Sequence, residues 1–296
     1  MENKKPRIIG RIIALLSIVV AIFVGGYFFL DLAIIPKYFG MYGIKNVPDL
    51  VGVVTSLYKT PNEKKFITNP PTTLDFASAI DILQDANYRI ADDGTFSESD
   101  IRGDDAVTLT DRELAALCNK LIENGLLNET LPNLNYLNMI NISIMEIIIE
   151  PNNESKDGNY YSRATATMIA KLDTTDIREQ IAEHMQTPLF LLNMIIPDNL
   201  YFEVHYDIDL AKAKEERVSN ATIAINGRTA EQSEILMNLL IDFIFPKKDN
   251  MDLEKFTTDF GQIILQGIDF FGDFKFVKNA GKNRNQPGIY VNPIAA

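Results

Sequence analysis

Residues 200–210 read LYFEVHYDIDL and alternate between two kinds of side chain along their whole length. One set is apolar: Leu200, Phe202, Val204, Tyr206, Ile208 and Leu210. The other set is mostly polar: Tyr201, Glu203, His205, Asp207 and Asp209. Because successive side chains of a strand point to opposite faces of its sheet, this pattern predicts a half-buried β-strand. The apolar face of such a strand needs other apolar elements to cover it.

Neighbouring segments carry patterns that supply those elements. Further strands are predicted over 140–149, 161–172, 221–226 and 274–278, and the first two are expected to form a long hairpin. Strict alternation places Ile144 and Ile148 on one face of the first of these strands. Helices are predicted over 73–86, 110–124, 174–185, 230–245 and 252–271. The predicted fold class is therefore α+β, with long antiparallel strands packed on amphipathic helices.

Two of the predicted helices begin with a capping box, in which a Thr and the acidic or amide residue three positions later cap each other. These motifs are Thr110-Asp111-Arg112-Glu113 and Thr229-Ala230-Glu231-Gln232. Cys118 lies on the apolar stripe of the first helix. We interpret it as a buried structural cysteine, because neither His184 nor His205 is near it in sequence.

A long apolar run comes before the α+β region. Residues 12–30 read IIALLSIVVAIFVGGYFFL and contain no charge over 19 positions. As a helix they would extend about 28 Å, close to the ~30 Å hydrocarbon core of a bilayer. The alternatives are a buried helix or a cleaved signal peptide, whose apolar region has about 7–15 residues and ends at a small-residue site. No such site follows, so the run predicts an uncleaved transmembrane anchor.

The charges on either side of this run predict its orientation. Lys4, Lys5, Arg7 and Arg11 precede it, and cations are sparse just after it. The positive-inside rule therefore predicts a single-pass plasma-membrane protein with a cytoplasmic N-terminus and an extracellular C-terminal domain. The expected divisions are a cytoplasmic N-terminus, a transmembrane helix, a juxtamembrane stalk, an extracytoplasmic α+β domain and a C-terminal tail, over 1–11, 12–30, 31–71, 72–278 and 279–296.

Composition narrows the possible functions. The chain of 296 residues has a net charge of −12, which argues against nucleic-acid binding, and one cysteine, which excludes a disulfide framework. Nucleophile elbows, glycine-rich phosphate loops and zinc motifs are missing, so we expect neither an enzyme nor a cofactor. The acidic loop 91–106 carries Asp92, Asp93, Glu98 and Asp100, but without EF-hand spacing. A solvated loop and a calcium site both remain open there.

The order of these elements resembles that of a known family. The relevant stretches are VTLTDRELAALCN at 107–119, PDNLYFEV at 197–204 and IAINGR at 223–228, preceded by the membrane anchor. The chain is similar to the YpmS-like membrane-anchored extracytoplasmic proteins of Gram-positive bacteria, which resemble the tubular lipid-binding superfamily. This resemblance implies a long helix wrapped by a curved antiparallel sheet with an apolar groove, and it implies no catalytic residues.

Two functions follow as expectations. In the first, the tethered domain binds a lipid or another hydrophobic envelope molecule in an apolar groove, without catalysis. The candidate groove residues are Phe202, Val204, Tyr206, Ile208, Ile223, Ile225, Leu236, Leu240 and Phe243. In the second, the same residues form a fully packed core, and the domain is a protein–protein interaction module of a cell-envelope assembly with an unknown partner.

The topology can be tested directly. A reporter fused after Ala296 that is active only outside the cytoplasm should be active, because the four cations before Ile12 hold the N-terminus inside. Replacing Lys4, Lys5, Arg7 and Arg11 with neutral residues should lower that signal. Activity of a cytoplasm-only reporter at the same site would contradict the predicted orientation.

Overall fold

The strand predicted over 200–210 is confirmed as Asn199–Asp209, inside a four-stranded antiparallel sheet. The computed structural model describes residues 24–40, 44–57, 59, 61–95, 103–124, 141–152, 159–185, 193, 196–228, 253–280 and 286–293. The chain divides into two compact units, Met1–Ser56 and Leu57–Ala296. The second unit has the α+β class that the sequence predicts.

The strands of the second unit form two antiparallel sheets. They are β1 (Val107–Thr110), β2 (Asn141–Pro151), β3 (Tyr160–Tyr161), β4 (Arg163–Asp173), β5 (Asn199–Asp209), β6 (Val218–Ile225), β7 (Asp273–Val277) and β8 (Gly288–Asn292). Sheet 1 has the order β1-β8-β7-β3, and sheet 2 has the order β2-β4-β5-β6. The predicted hairpin is confirmed as the β2–β4 pair.

The described helices are α1 (Ile35–Phe39), α2 (Val47–Leu57), α3 (Glu63–Phe66), α4 (Thr73–Asp85), α5 (Asp111–Glu123), α6 (Thr175–Met185) and α7 (Leu253–Asp269). The last four confirm the helices predicted over 73–86, 110–124, 174–185 and 252–271. The helix predicted over 230–245 lies outside the described residues. Helix α5 begins with the predicted capping box, in which the Thr110 hydroxyl accepts from the Glu113 N–H and the Glu113 carboxylate accepts from the Thr110 N–H.

Helix α5 covers one edge of sheet 2. Its Asn119 side chain forms two hydrogen bonds with the backbone of Ile144 in β2. Asn119 Oδ1 accepts from the Ile144 N–H at 2.5 Å, and Asn119 Nδ2 donates to the Ile144 carbonyl at 2.8 Å. The amide thus takes the place of a neighbouring strand at this point of the edge. Cys118, on the same helix, is buried as predicted.

Two β-bulges bend sheet 2. In β2, Met145 is an extra residue between the pairs Ile144–Ala170 and Glu146–Ile169. In β6, Asn220 and Ala221 lie opposite the single residue Tyr206, and Asn220 has a φ of 50°. Such insertions increase the local twist and bend the strand.

The first bulge also changes which residues of β2 face the core. Ile147 and Ile149 lie opposite the inward-facing Met168 and Ala166, and both are buried, whereas Ile148 is only half-buried. The prediction that Ile144 and Ile148 share a face is therefore wrong. One inserted residue reverses the alternation of every residue after it.

The predicted C-terminal tail 279–296 contains part of the folded domain. Strand β8 lies between β1 and β7, with Val291 opposite both Val107 and Phe274. Ile289 and Val291 are buried in the core. The folded part therefore extends beyond residue 278, because β8 pairs with both β1 and β7 and joins them in sheet 1.

The predicted stalk 31–71 is also partly folded into the second unit. Ile67 packs with Ile169 and Tyr201 on the outer face of sheet 2. The next residue, Thr68, donates from its N–H and its hydroxyl to the buried Glu146 carboxylate at 2.9 and 2.6 Å. The second compact unit thus starts near Leu57, before the boundary predicted at residue 71.

The first unit is helical where it is described. Residues 24–29 are α-helical, and a short π-helix, Leu30–Ile34, leads into α1. Among the residues that the structure describes, no helix is both long enough and apolar enough to cross a membrane. Residues 12–23, most of the predicted anchor, lie outside the described ranges.

The cap of α5 leads to a stability prediction. In a fragment of residues 57–296, Thr110→Ala should lower the free energy of unfolding by about 1 kcal/mol, because the first turn loses its side-chain acceptor. Thr110→Ser keeps the hydroxyl and should cost less. Urea denaturation midpoints measure both effects. Indistinguishable midpoints for wild type and Thr110→Ala would contradict the role of the cap.

Asp111, the first residue of α5, leads to a pH prediction. Burial, and secondly the Glu146 carboxylate, raise the pKa of Asp111 to about 6 from 3.8. Because the folded protein binds this proton more tightly, stability falls as the pH rises through this interval and stays lower above it. Asp111→Asn cannot ionise and keeps an oxygen for the Arg112 N–H. Its stability relative to wild type should therefore be greater at pH 7 than at pH 4, as urea titrations at both pH values would show.

Candidate functional site

The structure places most of the predicted groove residues inside the second unit. Val204, Tyr206 and Ile208 of β5 and Ile223 and Ile225 of β6 are all buried, and Phe202 is half-buried. The other three candidates, Leu236, Leu240 and Phe243, lie outside the described residues. The six described candidates share the inner face of sheet 2 through the register of β5 with β6.

A cavity of about 50 Å³ lies between this inner face and helix α7. Of the predicted residues, Tyr206 and Ile208 line it. The other lining residues are Leu114, Ile147, Ile149, Ala166, Met168, Val218, Gly261, Ile264, Leu265, Ile268, Phe276 and Ile289. The cavity thus joins α5, α7 and both sheets. All of these side chains are apolar except Tyr206, which has one hydroxyl.

Small residues explain why this part of the core is not filled. Ala166 of β4 lies directly opposite Tyr206, and the bulge of β6 lies on its other side. Gly261 of α7 packs on the ring itself, since a Cβ built there would be 2.7 Å from Tyr206 Cε1. The methyl group of Ala166 therefore leaves part of this space unfilled, whereas the bare backbone of Gly261 lets α7 approach the Tyr206 ring closely.

The Tyr206 ring lines this cavity, whereas its hydroxyl has almost no accessible surface there. The hydroxyl is fully buried, and no hydrogen-bond partner for it occurs among the described residues. Burial raises the pKa of Tyr206 well above its ordinary value, so the group stays a neutral donor and acceptor. A buried polar group without a partner costs about 1–3 kcal/mol, and such groups are rare in native proteins.

A second apolar cavity of about 20 Å³ adjoins the first. The two share four lining residues: Leu114, Ile264, Ile268 and Ile289. Cys118 lines only the second cavity, and burial raises the pKa of its thiol to about 12, so it is not a nucleophile at neutral pH. The four shared side chains form the partition between the two spaces.

The two volumes limit what can be bound without rearrangement. An apolar cavity of about 150 Å³ holds benzene, and ordinary ligand pockets have about 300–1,000 Å³. The described space therefore accepts a short alkyl group. A longer chain would need the partition side chains, or helix α7, to move.

The C-terminal end of helix α7 is held in place by ionic contacts. The Asp269 carboxylate accepts two hydrogen bonds from Arg217 at 2.9 and 3.1 Å, and Lys214 Nζ lies 3.1 Å from it. Gln262, nearer the cavity, donates to the carbonyl of Glu215 at 3.0 Å. Through these contacts the segment before β6 holds α7 against sheet 2.

The outer face of sheet 2 carries a polar group of another kind. The Thr167 hydroxyl lies 2.9 Å from His205 Nδ1, and His205 Nε2 lies 3.2 Å from Glu203 Oε1. The order hydroxyl, imidazole and carboxylate is that of a nucleophilic triad. The three residues lie on adjacent paired strands, so the backbone N–H groups beside them are used by the sheet. Neither cavity touches them.

Part of the acidic loop 91–106 is described. Asp93 accepts two hydrogen bonds from Thr95, and Asp92 accepts one from Gln84. Glu98 and Asp100, the other candidate calcium ligands, lie outside the described residues. Within the described ranges, no group of three or more acidic, His or Cys side chains is arranged to hold a metal ion.

Comparison with known proteins gives no relative. No protein-family model, curated protein or solved structure matches the chain. The resemblance to the YpmS-like proteins therefore stays a prediction from sequence.

Proposed function

We propose that this chain is a membrane-tethered, extracytoplasmic protein that binds a small hydrophobic molecule carrying one hydrogen-bonding group. The single observation that carries the proposal is the buried, unpartnered hydroxyl of Tyr206, a residue whose ring lines a cavity with apolar walls. Binding sites for hydrophobic ligands have this composition, with many apolar contacts and a few polar groups that fix orientation.

The energetic argument has two parts. Each methylene that enters the cavity gains about 0.8 kcal/mol by leaving water. A ligand hydroxyl or carboxyl that bonds with Tyr206 adds about 0.5–1.5 kcal/mol and removes the penalty of the unpaired phenol. A purely apolar ligand gains only the first part. The site should therefore prefer an alcohol or acid over the corresponding alkane.

The protein–protein interaction module remains the second candidate. It is favoured by the burial of Val204, Ile208, Ile223 and Ile225, and by a cavity much smaller than an acyl chain. In this alternative the cavity is a packing defect, and the orphaned hydroxyl is simply a cost to stability. The two candidates differ in whether any molecule can occupy the space.

The test compares 1-hexanol with hexane, which differ by one hydroxyl. Both are longer than the short alkyl group that the described space accepts, so each must displace the partition side chains, and the comparison isolates the hydroxyl. In the 57–296 fragment, 1-hexanol should raise the melting temperature more than hexane does, because only the alcohol pairs with Tyr206. Tyr206→Phe should remove this difference by lowering the affinity for 1-hexanol by about 1 kcal/mol, roughly fivefold in Kd. Thermal unfolding and isothermal titration measure the two effects.

Tyr88→Phe is the matched control. The Tyr88 hydroxyl is also buried without a partner among the described residues, and burial raises its pKa to about 12, but Tyr88 lines neither cavity. The preference for 1-hexanol should survive this change. If neither probe stabilises the wild-type fragment, and lipid extraction of the purified full chain yields no ligand, the interaction module is left as the function.

A further inference from the structure

Helix α2 of the first unit has one exposed face without charge. Its exposed residues are Pro48, Val51, Gly52 and Thr55, which recur at the spacing of one helix face. Val51 is 52% exposed, which is high for a large apolar side chain. Leu50, Val53 and Val54 are only half-exposed and point elsewhere. Water therefore contacts an apolar surface on this helix unless something covers it.

The one hydroxyl on this face is already satisfied within the helix. Thr55 Oγ1 donates to the Val51 carbonyl at 2.7 Å and lies 3.1 Å from the Gly52 carbonyl. A hydroxyl that bonds back to its own helix needs no outside acceptor, which lowers the cost of moving it into an apolar medium. The face is thus compatible with lipid along its whole described length.

Two hydrogen bonds from backbone N–H groups to side chains mark the start of α2. The N–H of Val47 donates to Asp31 Oδ1 at 2.6 Å, and the N–H of Asp49 donates to Asn46 Oδ1 at 2.8 Å. Asp31 directly follows the uncharged run 12–30. Helix α2 therefore starts beside the point where the predicted anchor would leave the hydrocarbon core.

The side chains just before Asp31 are apolar and exposed. Tyr27, Phe28, Phe29 and Leu30 are between 44% and 61% exposed, and Leu32 is 72% exposed. A helix that is apolar on every side lies in a protein core or in a membrane, and the exposure of these side chains favours the membrane. The exposed face of α2 is apolar like this surface, so lipid is a favourable environment for both.

We propose that α2 is an interfacial helix whose Pro48–Val51–Gly52–Thr55 face lies among the lipids of the bilayer that holds the anchor. The proposal rests on the membrane tether of the proposed function and adds a second lipid contact to it. An interfacial helix places its apolar face about 5–10 Å into the boundary between headgroups and acyl chains. This contact would limit how far the residues after the anchor can turn about its axis.

Site-directed spin labelling of the full chain in phosphatidylcholine–phosphatidylglycerol vesicles tests this contact. In a Cys118→Ala background, single nitroxides are placed through Val51→Cys, Phe29→Cys and Leu74→Cys. Leu74, 79% exposed on α4, is the matched apolar control on the second unit. Collisions with oxygen report lipid, and collisions with a nickel chelate report water. The oxygen-to-nickel ratio at positions 29 and 51 should be several-fold higher than at position 74.

The three positions separate the possible failures. A water-exposed label at position 29, inside the predicted anchor, would overturn the membrane tether itself. A lipid-exposed label at position 29 with a water-exposed label at position 51 would overturn the interfacial helix and leave the tether intact. A label at position 51 that meets neither reagent and shows spin–spin broadening would mean that a second copy of the chain covers this face, which also overturns the proposal.

Discussion

The pairing of β4 with β5 is the interaction on which the rest of the second unit depends. The two strands stay in register over eleven residues, from Arg163 opposite Asp209 to Asp173 opposite Asn199. This register sets one continuous apolar face, which α7 covers at β5 and β6 while α5 packs against β2. It also aligns the small Ala166 with the large Tyr206, so the cavity is a consequence of the same pairing.

Much of this fold follows from local patterns in the sequence. Alternation predicts β5, and a Thr–Glu capping pair predicts the start of α5, because both signals depend on residues close together in the chain. Strand β8 is hard to foresee, since its five residues are next to the Asn- and Gly-containing stretch 279–288 and pair with strands far away. The bulge at Met145 is equally hard to predict, because no residue type or local pattern marks an inserted residue.

For the candidate site, even less can be predicted from local sequence patterns. The sequence predicts that Tyr206 lies on the apolar face of its strand, which is confirmed. It does not predict that Gly261, fifty-five positions later, packs directly on the ring, or that a cavity lies beside them. The alanines that alternate along β4 were the available signal, because a row of small side chains on an inner face leaves room that a neighbouring helix must fill.

The position of β8 has a consequence for the order in which the protein can fold. This strand is the only described link between β1 and β7, yet it comes long after β1 in the chain. Contacts between such distant segments form slowly, because the chain loses the entropy of closing a large loop before the strand pairing contributes any stabilising free energy. During synthesis, the edges of β1 therefore stay unpaired after sheet 2 can already assemble from 141–225. A chaperone that binds the chain at this stage would meet one complete sheet and one that is still open.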